Sequence, residues 1–182
     1  MGIPNLLTFL RIILIPVFIL LFYLPFRGSH VLAAIIFIFA AMTDWLDGYL
    51  ARGLGQVSKL GTFLDPVADK LIVVTALVLL VGDRVLPYLA IPAIVIICRE
   101  IMVSALREWM AEIGKRTRIA VTRIGKIKTT VQMLALILLL LYKPGAWFAL
   151  ALSGYLLLYL AALLTLWSMS LYLKAAWHDL SS

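Results

Sequence analysis

Uncharged apolar runs occupy most of this sequence, and their length limits what the chain can fold into. Six such runs lie at residues 12–26, 31–43, 71–82, 85–98, 129–142 and 144–173. A helix needs ~20 residues to cross the hydrocarbon core of a bilayer. With their flanking residues included, the runs predict about six transmembrane helices, at residues 8–26, 30–50, 61–81, 86–107, 126–143 and 147–172.

The composition agrees with a membrane protein and argues against other classes. Hydrophobic residues make up 64% of the chain and charged residues only 14%, against ~45–50% and ~25% in an average soluble domain. This composition argues against a soluble enzyme, a disordered chain and a fibrous protein. The predicted fold class is therefore an all-α integral membrane protein, with residues 1–182 forming a single membrane-embedded domain.

The distribution of Lys and Arg predicts the orientation. When the N-terminus is placed inside, most of these residues fall on one side, and the other side holds only Arg27, Arg84 and Lys143. The positive-inside rule then places both termini in the cytoplasm. A net charge of +7 also favours contact with anionic membrane phospholipids. Nucleic acid is not expected as a partner, since the chain has no long basic arm.

Four aspartates stand in or beside apolar helices: Asp44, Asp47, Asp65 and Asp69. A carboxylate in the bilayer costs on the order of 3 kcal/mol, and four together repel unless they are protonated or neutralised. The members of each pair are three or four residues apart, so each pair shares a helix face. A short loop joins the two helices, which predicts one cavity holding all four. Salt bridges would explain one or two of them, but not four.

The residue types around these carboxylates indicate a metal site. Oxygen ligands without His or Cys suit Mg²⁺ or Mn²⁺. Four carboxylates predict two such ions, an arrangement suited to phosphoryl transfer. The small residues Gly48, Ala51 and Gly61 leave room for a phosphate ligand, and Arg52 is placed to clamp it.

The spacing of these residues resembles a known signature. The pattern Asp44-x2-Asp47-Gly48-x2-Ala51-Arg52-x8-Gly61-x3-Asp65-x3-Asp69 is similar, position by position, to that of the CDP-alcohol phosphotransferase family. This resemblance implies a membrane enzyme that moves a phosphatidyl group from CDP-diacylglycerol to an alcohol and releases CMP. It implies that the four aspartates bind the metal ions and that Asp69 is also the general base. The implied CDP-diacylglycerol site comprises Asn5, Thr8, Asp44, Gly48, Ala51, Arg52 and Gly61.

A second group of residues concerns the acceptor alcohol. Arg99 and Arg107 lie eight residues apart on the fourth predicted helix, roughly on one face. Lys126 and Lys128 lie at the start of the fifth, where a helix N-terminus also favours anions. Together these residues predict a site for a second phosphate, carried by the acceptor. Glu100 follows Arg99 and Glu108 follows Arg107. A plainer interpretation therefore stays open, in which each arginine simply forms an ion pair with the glutamate beside it.

Further segments resemble one bacterial branch of the same family, which uses sn-glycerol 3-phosphate as acceptor. These segments are residues 3–8, 63–70, 99–100, 104–108 and 125–129. The likeness implies a role in phospholipid (phosphatidylglycerol) biosynthesis in the bacterial cytoplasmic membrane, with the active site facing the cytoplasm, and a homodimer. The residues implied for the acceptor phosphate are Thr62, Arg99, Arg107, Lys126 and Lys128.

Two kinds of alternative function stay open at the level of sequence. Within the family, serine, inositol phosphate and phosphatidylglycerol are alternative acceptors. Serine carries no phosphate and would not need the basic group, whereas inositol phosphate would need it, so the basic group alone does not exclude inositol phosphate. Outside the family, intramembrane carboxylates also occur in cation transporters. A transporter would be expected to show broken helices or an inverted repeat, and the sequence shows neither.

Overall fold

The protein is described from a computed structural model, which covers residues 3–26, 28–54, 59–83, 86–112, 123–142 and 148–180. These residues form six α-helices and no strand: α1 (Ile3–Tyr23), α2 (Ser29–Leu54), α3 (Lys59–Gly82), α4 (Ala90–Glu112), α5 (Arg123–Leu141) and α6 (Phe148–Leu180). Within the helices, the described side chains exclude those of residues 3–5, 44–54, 59–63, 65, 107, 111, 123–126 and 171–180. The predicted all-α fold with six helices is confirmed.

Two of these helices contain a segment long and apolar enough to cross a membrane, Leu6–Tyr23 and Phe148–Ser170. Two shorter apolar helical segments lie at Ser29–Thr43 and Ile127–Leu141. Large apolar side chains also cover the outer surface, and Leu20 and Leu163 are each about two-thirds exposed. Such an outer face suits lipid as the surrounding solvent.

The core is formed by apolar side chains from all six helices. Phe18 of α1 and Phe37 of α2 are fully buried, and their ring centroids lie 6.0 Å apart. In the described part of the chain, α1 packs against α2 and α3, while α6 packs against α4 and α5. The α5–α6 contact is close because Gly154 faces Leu139 there, as small residues allow in membrane helix pairs.

The turn before α4 differs from the prediction. The fourth helix was expected from residue 86, but α4 begins at Ala90, because residues 86–89 form a turn. Tyr88 in this turn has a φ of 63°, a left-handed conformation that is incompatible with a right-handed α-helix. The hydroxyls of Tyr155 and Tyr159 on α6 donate to the carbonyl oxygens of Pro87 (2.6 Å) and Tyr88 (2.9 Å). These bonds anchor the turn to α6.

The order of the helices brings the predicted site residues to one end of the bundle. One cavity is lined by residues of four helices: Ala41 of α2, Asp69 of α3, Glu100 of α4 and Thr129 of α5. The C-terminal halves of α2 and α4 therefore lie at the same end as the N-terminal halves of α3 and α5. In the described structure α3 contacts α2, α4 and α5, so it is the element around which the site is arranged.

Candidate active site

The four predicted metal-binding aspartates lie on two helices that contact each other. Asp44 and Asp47 belong to α2, and Asp65 and Asp69 to α3. Each pair is about one helical turn apart, as expected from the sequence. The side chains of Asp44, Asp47 and Asp65 lie outside the described residues. The side chain of Asp69 is described, and it is exposed and lines a cavity.

Several other predicted site residues also have side chains outside the described part of the chain. They are Asn5, Gly48, Ala51, Arg52, Gly61, Thr62, Arg107 and Lys126. Their roles stay predictions. Thr8, Arg99 and Lys128 are described, and all three are buried.

The cavity beside Asp69 has a volume of about 570 Å³ and is lined by residues of α2, α3, α4 and α5. Its polar lining consists of Asp69, Lys70, Glu100, Thr129, Thr130 and Gln132. The lining becomes apolar further from the end of the bundle that holds the aspartates, at Val73 and Leu77 of α3 and Ile137 of α5. A cavity that is polar at one end and apolar at the other suits an amphiphilic ligand, such as a lipid with a polar headgroup.

Two of the predicted acceptor-phosphate residues meet at one carboxylate. Oε1 of Glu100 accepts hydrogen bonds from Nη1 of Arg99 at 2.8 Å and from Nζ of Lys128 at 2.7 Å. Nη2 of Arg99 also donates to Oγ of Ser168 on α6, at 3.0 Å. Arg99 therefore does pair with its neighbour, as the plainer interpretation expected. The same carboxylate also binds Lys128 of α5, which therefore lies beside Arg99. The three residues form one cluster with a net positive charge.

A second polar link joins α3 to α4 beside Asp69. Nζ of Lys70 donates a hydrogen bond to Oγ of Ser104. Lys70 and Glu100 both line the first cavity and a second, smaller one of about 460 Å³ on the α3–α4 face. The two cavities therefore share a polar wall next to Asp69.

Sequence reasoning missed three residues at this end of the bundle. Arg11 on α1 is fully buried, although its place near the chain start suggested only a cytoplasmic positive charge. Gln132 lines the first cavity, and its Oε1 is buried with no hydrogen-bond partner in the described structure. Ser168 is buried and binds Arg99. The sequence signal that could have found these three residues is that each is a polar or charged residue in or beside an apolar run.

Comparison with known proteins identifies the class. Residues 1–167 match the CDP-alcohol phosphatidyltransferase family, and the chain belongs to this family. It is therefore an integral membrane enzyme of the phosphatidyltransferase class, and the predicted family resemblance is confirmed. The match extends over nearly the whole chain, including the polar residues of the wall that the two cavities share and those of the cluster: Lys70, Arg99, Glu100 and Lys128.

Similar curated proteins share one activity in their names. The chain is 57% identical over 189 residues to a CDP-diacylglycerol--glycerol-3-phosphate 3-phosphatidyltransferase of Pseudomonas fluorescens, covering 100% of this chain and 93% of the relative. It is 53% identical over 180 residues to a protein of that name from Yersinia enterocolitica, covering 99% and 97%. A third, from Pectobacterium atrosepticum, is 54% identical over 179 residues, covering 98% and 97%.

Proposed function

We propose that this enzyme transfers the phosphatidyl group of CDP-diacylglycerol to sn-glycerol 3-phosphate, giving phosphatidylglycerol phosphate and CMP. The observation that carries the proposal is the cluster in which Glu100 holds Arg99 and Lys128 together. This cluster adjoins the cavity that Asp69 lines. A buried positive cluster beside a candidate base fits an acceptor that carries its own phosphate. The names of the full-length relatives support the same reaction.

The reaction is a displacement at phosphorus. The free primary hydroxyl oxygen of the acceptor forms a bond to the phosphorus that carries the diacylglycerol, and the bond from that phosphorus to CMP breaks. Asp69 takes the proton from the hydroxyl, because its carboxylate is exposed at the polar end of the cavity. The acyl chains of the lipid occupy apolar surface, towards Val73 and Leu77.

Metal dependence belongs to the same proposal. Asp44, Asp47, Asp65 and Asp69 would hold Mg²⁺ or Mn²⁺, and two ions suit four carboxylates. The backbone positions on two contacting helices fit such a site, and the donor set is oxygen only. Bound ions would neutralise the diphosphate and stabilise the leaving CMP. Gly48, Ala51, Arg52 and Gly61, with Asn5 and Thr8, are proposed to hold the cytidine diphosphate.

The cellular setting is also proposed. In the sequence, the site residues lie in or next to the Lys- and Arg-rich segments that the positive-inside rule assigns to the cytoplasm, which supports an active site facing the cytoplasm. The proposed location is the bacterial cytoplasmic (inner) membrane, among the phospholipids that the enzyme helps to make. A homodimer is proposed as the assembly, on the basis of the family resemblance.

The test is CMP release by the protein purified in detergent, with CDP-diacylglycerol and Mg²⁺. Glycerol 3-phosphate, serine, inositol phosphate and phosphatidylglycerol are compared as acceptors at equal concentration. Release with glycerol 3-phosphate alone is the expected result. Release with serine, which carries no phosphate, would keep the carboxylate chemistry but overturn the assignment of the basic cluster. Release with inositol phosphate would keep both and change only the acceptor. No release with any of these acceptors would overturn the proposed reaction.

A further inference from the structure

Glu100 stands between two cations that are proposed to bind the acceptor phosphate. We infer that Glu100 is a positioning residue for the acceptor, which keeps Arg99 and Lys128 side by side so that both donate to one phosphate. This inference rests on the proposed function. It adds a carboxylate to a site in which the sequence predicted only cations and Thr62.

The geometry of the cluster requires a group between the cations. Both hydrogen bonds end on the same oxygen, Oε1 of Glu100, at 2.8 and 2.7 Å. The guanidinium and the ammonium are therefore held closer to each other than two cations would stay unaided, because like charges repel strongly at such distances. Arg99 is 7% exposed and Lys128 2%, so water contributes little screening there. The carboxylate offsets this repulsion and leaves the cluster with a net positive charge.

Glu100 also bridges two helices that do not otherwise pack together. In the described part of the chain, α4 and α5 make no direct helix–helix contact, although each packs against α3 and α6. The bond from Lys128 to Glu100 crosses this gap. The bond from Arg99 to Ser168 fixes the other side of the cluster to α6. Glu100 therefore links the two cations directly across the gap between α4 and α5.

A phosphate can bind this cluster without displacing Glu100. A guanidinium has five N–H donors and an ammonium has three. Glu100 uses one donor of Arg99 and one of Lys128, and Ser168 uses a second donor of Arg99. Phosphate oxygens accept charge-assisted hydrogen bonds from other donors of the same groups. Glu100 thus acts through the two cations and does not need to touch the substrate.

The main test compares Glu100→Gln with the matched control Glu112→Gln. Glutamine keeps the size and one acceptor oxygen of Glu100 but loses its charge. Glu112 lies on the same helix and is exposed, so its substitution should leave the KM values for both substrates unchanged. For Glu100→Gln, we expect the KM for glycerol 3-phosphate to rise about tenfold, the scale of a charge-assisted hydrogen bond. The KM for CDP-diacylglycerol should stay within about twofold, since that lipid is held elsewhere.

A double-mutant cycle separates positioning from a merely structural role. In a Lys128→Gln background, the cation that Glu100 aligns is already lost. There Glu100→Gln should raise the KM for glycerol 3-phosphate by less than about threefold, because coupled residues are not additive. Full additivity would overturn the inference. So would a lower KM in Glu100→Gln, because it would mean that Glu100 competes with the phosphate.

Thermal unfolding in detergent measures the binding of glycerol 3-phosphate in variants whose activity is too low for kinetics. Glycerol 3-phosphate should raise the Tm of the unsubstituted enzyme, and Glu100→Gln should need about tenfold more of it for the same rise. Equal dose dependence would overturn the inference alone, while the proposed function would stand. If the unsubstituted enzyme neither binds glycerol 3-phosphate nor uses it, the proposed function itself fails.

Discussion

Gly154 of α6 lies so close to Leu139 of α5 that a Cβ built on the glycine would be 2.8 Å from the leucine Cγ. Leu139 is fully buried, so it has little room to move away. Gly154→Ala should therefore lower the Tm in detergent. Overpacking costs ~1–3 kcal/mol, and the better helix propensity of alanine returns up to about 1 kcal/mol. Gly82→Ala is the control, because nothing lies within 4 Å of a Cβ there.

The same pair allows an internal check. Leu139→Ala alone should be destabilising, since it removes a buried side chain. Combined with Gly154→Ala, it opens the space that the new methyl group needs. The double variant should therefore lose less free energy of unfolding than the sum of the losses in the two single variants. If Gly154→Ala is as stable as Gly82→Ala, the close contact does not limit the packing of α5 on α6.

The sequence was sufficient to predict the helices but not the contacts between them. Apolar runs of nearly membrane-spanning length predict helices because lipid leaves the backbone few alternatives. The pairing of Lys128 with Glu100 was not predictable, because it depends on how α4 and α5 are placed around α3. Periodicity within a helix carries no information about that placement. For the same reason, the sequence indicated Glu100 as a partner of Arg99 but did not indicate Lys128 as the second partner of Glu100.

The start of α4 was misplaced for a local reason. Proline disfavours a helical conformation in the residue before it, and Pro87 is followed by Tyr88 with its left-handed backbone. Neither residue interrupts the apolar run, so hydropathy alone places the helix start too early. Arg11 was misjudged because an arginine close to the end of an apolar run is expected to reach water. Its burial is visible only in the packed bundle.

Tyr88 adopts its left-handed conformation at a position where glycine would be more usual. Such a backbone costs a non-glycine residue ~1–2 kcal/mol, and the cost is greatest for β-branched side chains. Tyr88→Val should therefore lower the Tm, whereas Tyr88→Gly should not. The bond from Tyr159 is kept in both variants, because its acceptor is the backbone carbonyl oxygen. Equal Tm values for the two variants would argue against this conformation.

Arg11 is a fully buried charge on a helix that packs against α2 and α3. With a rise of 1.5 Å per residue, Arg11 lies about 18 Å along α1 from the turn that joins α1 to α2, and Asp44 lies about 22 Å along α2 from the same turn. The two residues are therefore at a similar distance from this turn. We therefore expect Arg11 to act as a counter-charge to the aspartate cluster. Arg11→Met should lower kcat/KM for CMP release by at least about tenfold. Arg11→Lys should recover little, because an ammonium does not reproduce the guanidinium geometry.

The exposed residue Leu20 on the same helix gives a control for this prediction. Leu20→Met should leave both the activity and the Tm unchanged, since this side chain is 66% exposed. Arg11→Met must also be checked by thermal unfolding, so that a lost fold is not mistaken for a lost counter-charge. A well-folded Arg11→Met variant with full activity would refute the proposed role.

Removal of divalent cations should stop the reaction. Without bound cations, four carboxylates on two contacting helices repel one another, and the diphosphate of the substrate adds further negative charge. Chelation should therefore abolish CMP release, and Mg²⁺ or Mn²⁺ should restore it. The same ions should raise the Tm of the substrate-free protein, because they bind only its folded state. Activity that persists after exhaustive chelation would contradict the assignment of the aspartates.

Asp69 is proposed both as a metal ligand and as the general base, and these two roles predict different behaviour on substitution. Asp69→Asn keeps a carbonyl oxygen that can still coordinate a cation, but it cannot accept the proton of the acceptor hydroxyl. Turnover should fall by about 100-fold or more, as expected for a lost general base. The binding of CDP-diacylglycerol, followed by the ligand-induced rise in Tm, should largely remain. Excess Mg²⁺ should not restore turnover.

Asp44→Asn is the matched comparison, because Asp44 is proposed as a ligand only. Its loss weakens metal binding without removing the base, so raising the Mg²⁺ concentration should recover part of the activity. The two variants therefore separate the roles by their response to the metal. If excess Mg²⁺ rescues Asp69→Asn to the same extent as Asp44→Asn, Asp69 is a ligand like the others. The proton would then have to pass to another group that lines the cavity, and Glu100 is the other carboxylate among its described lining residues.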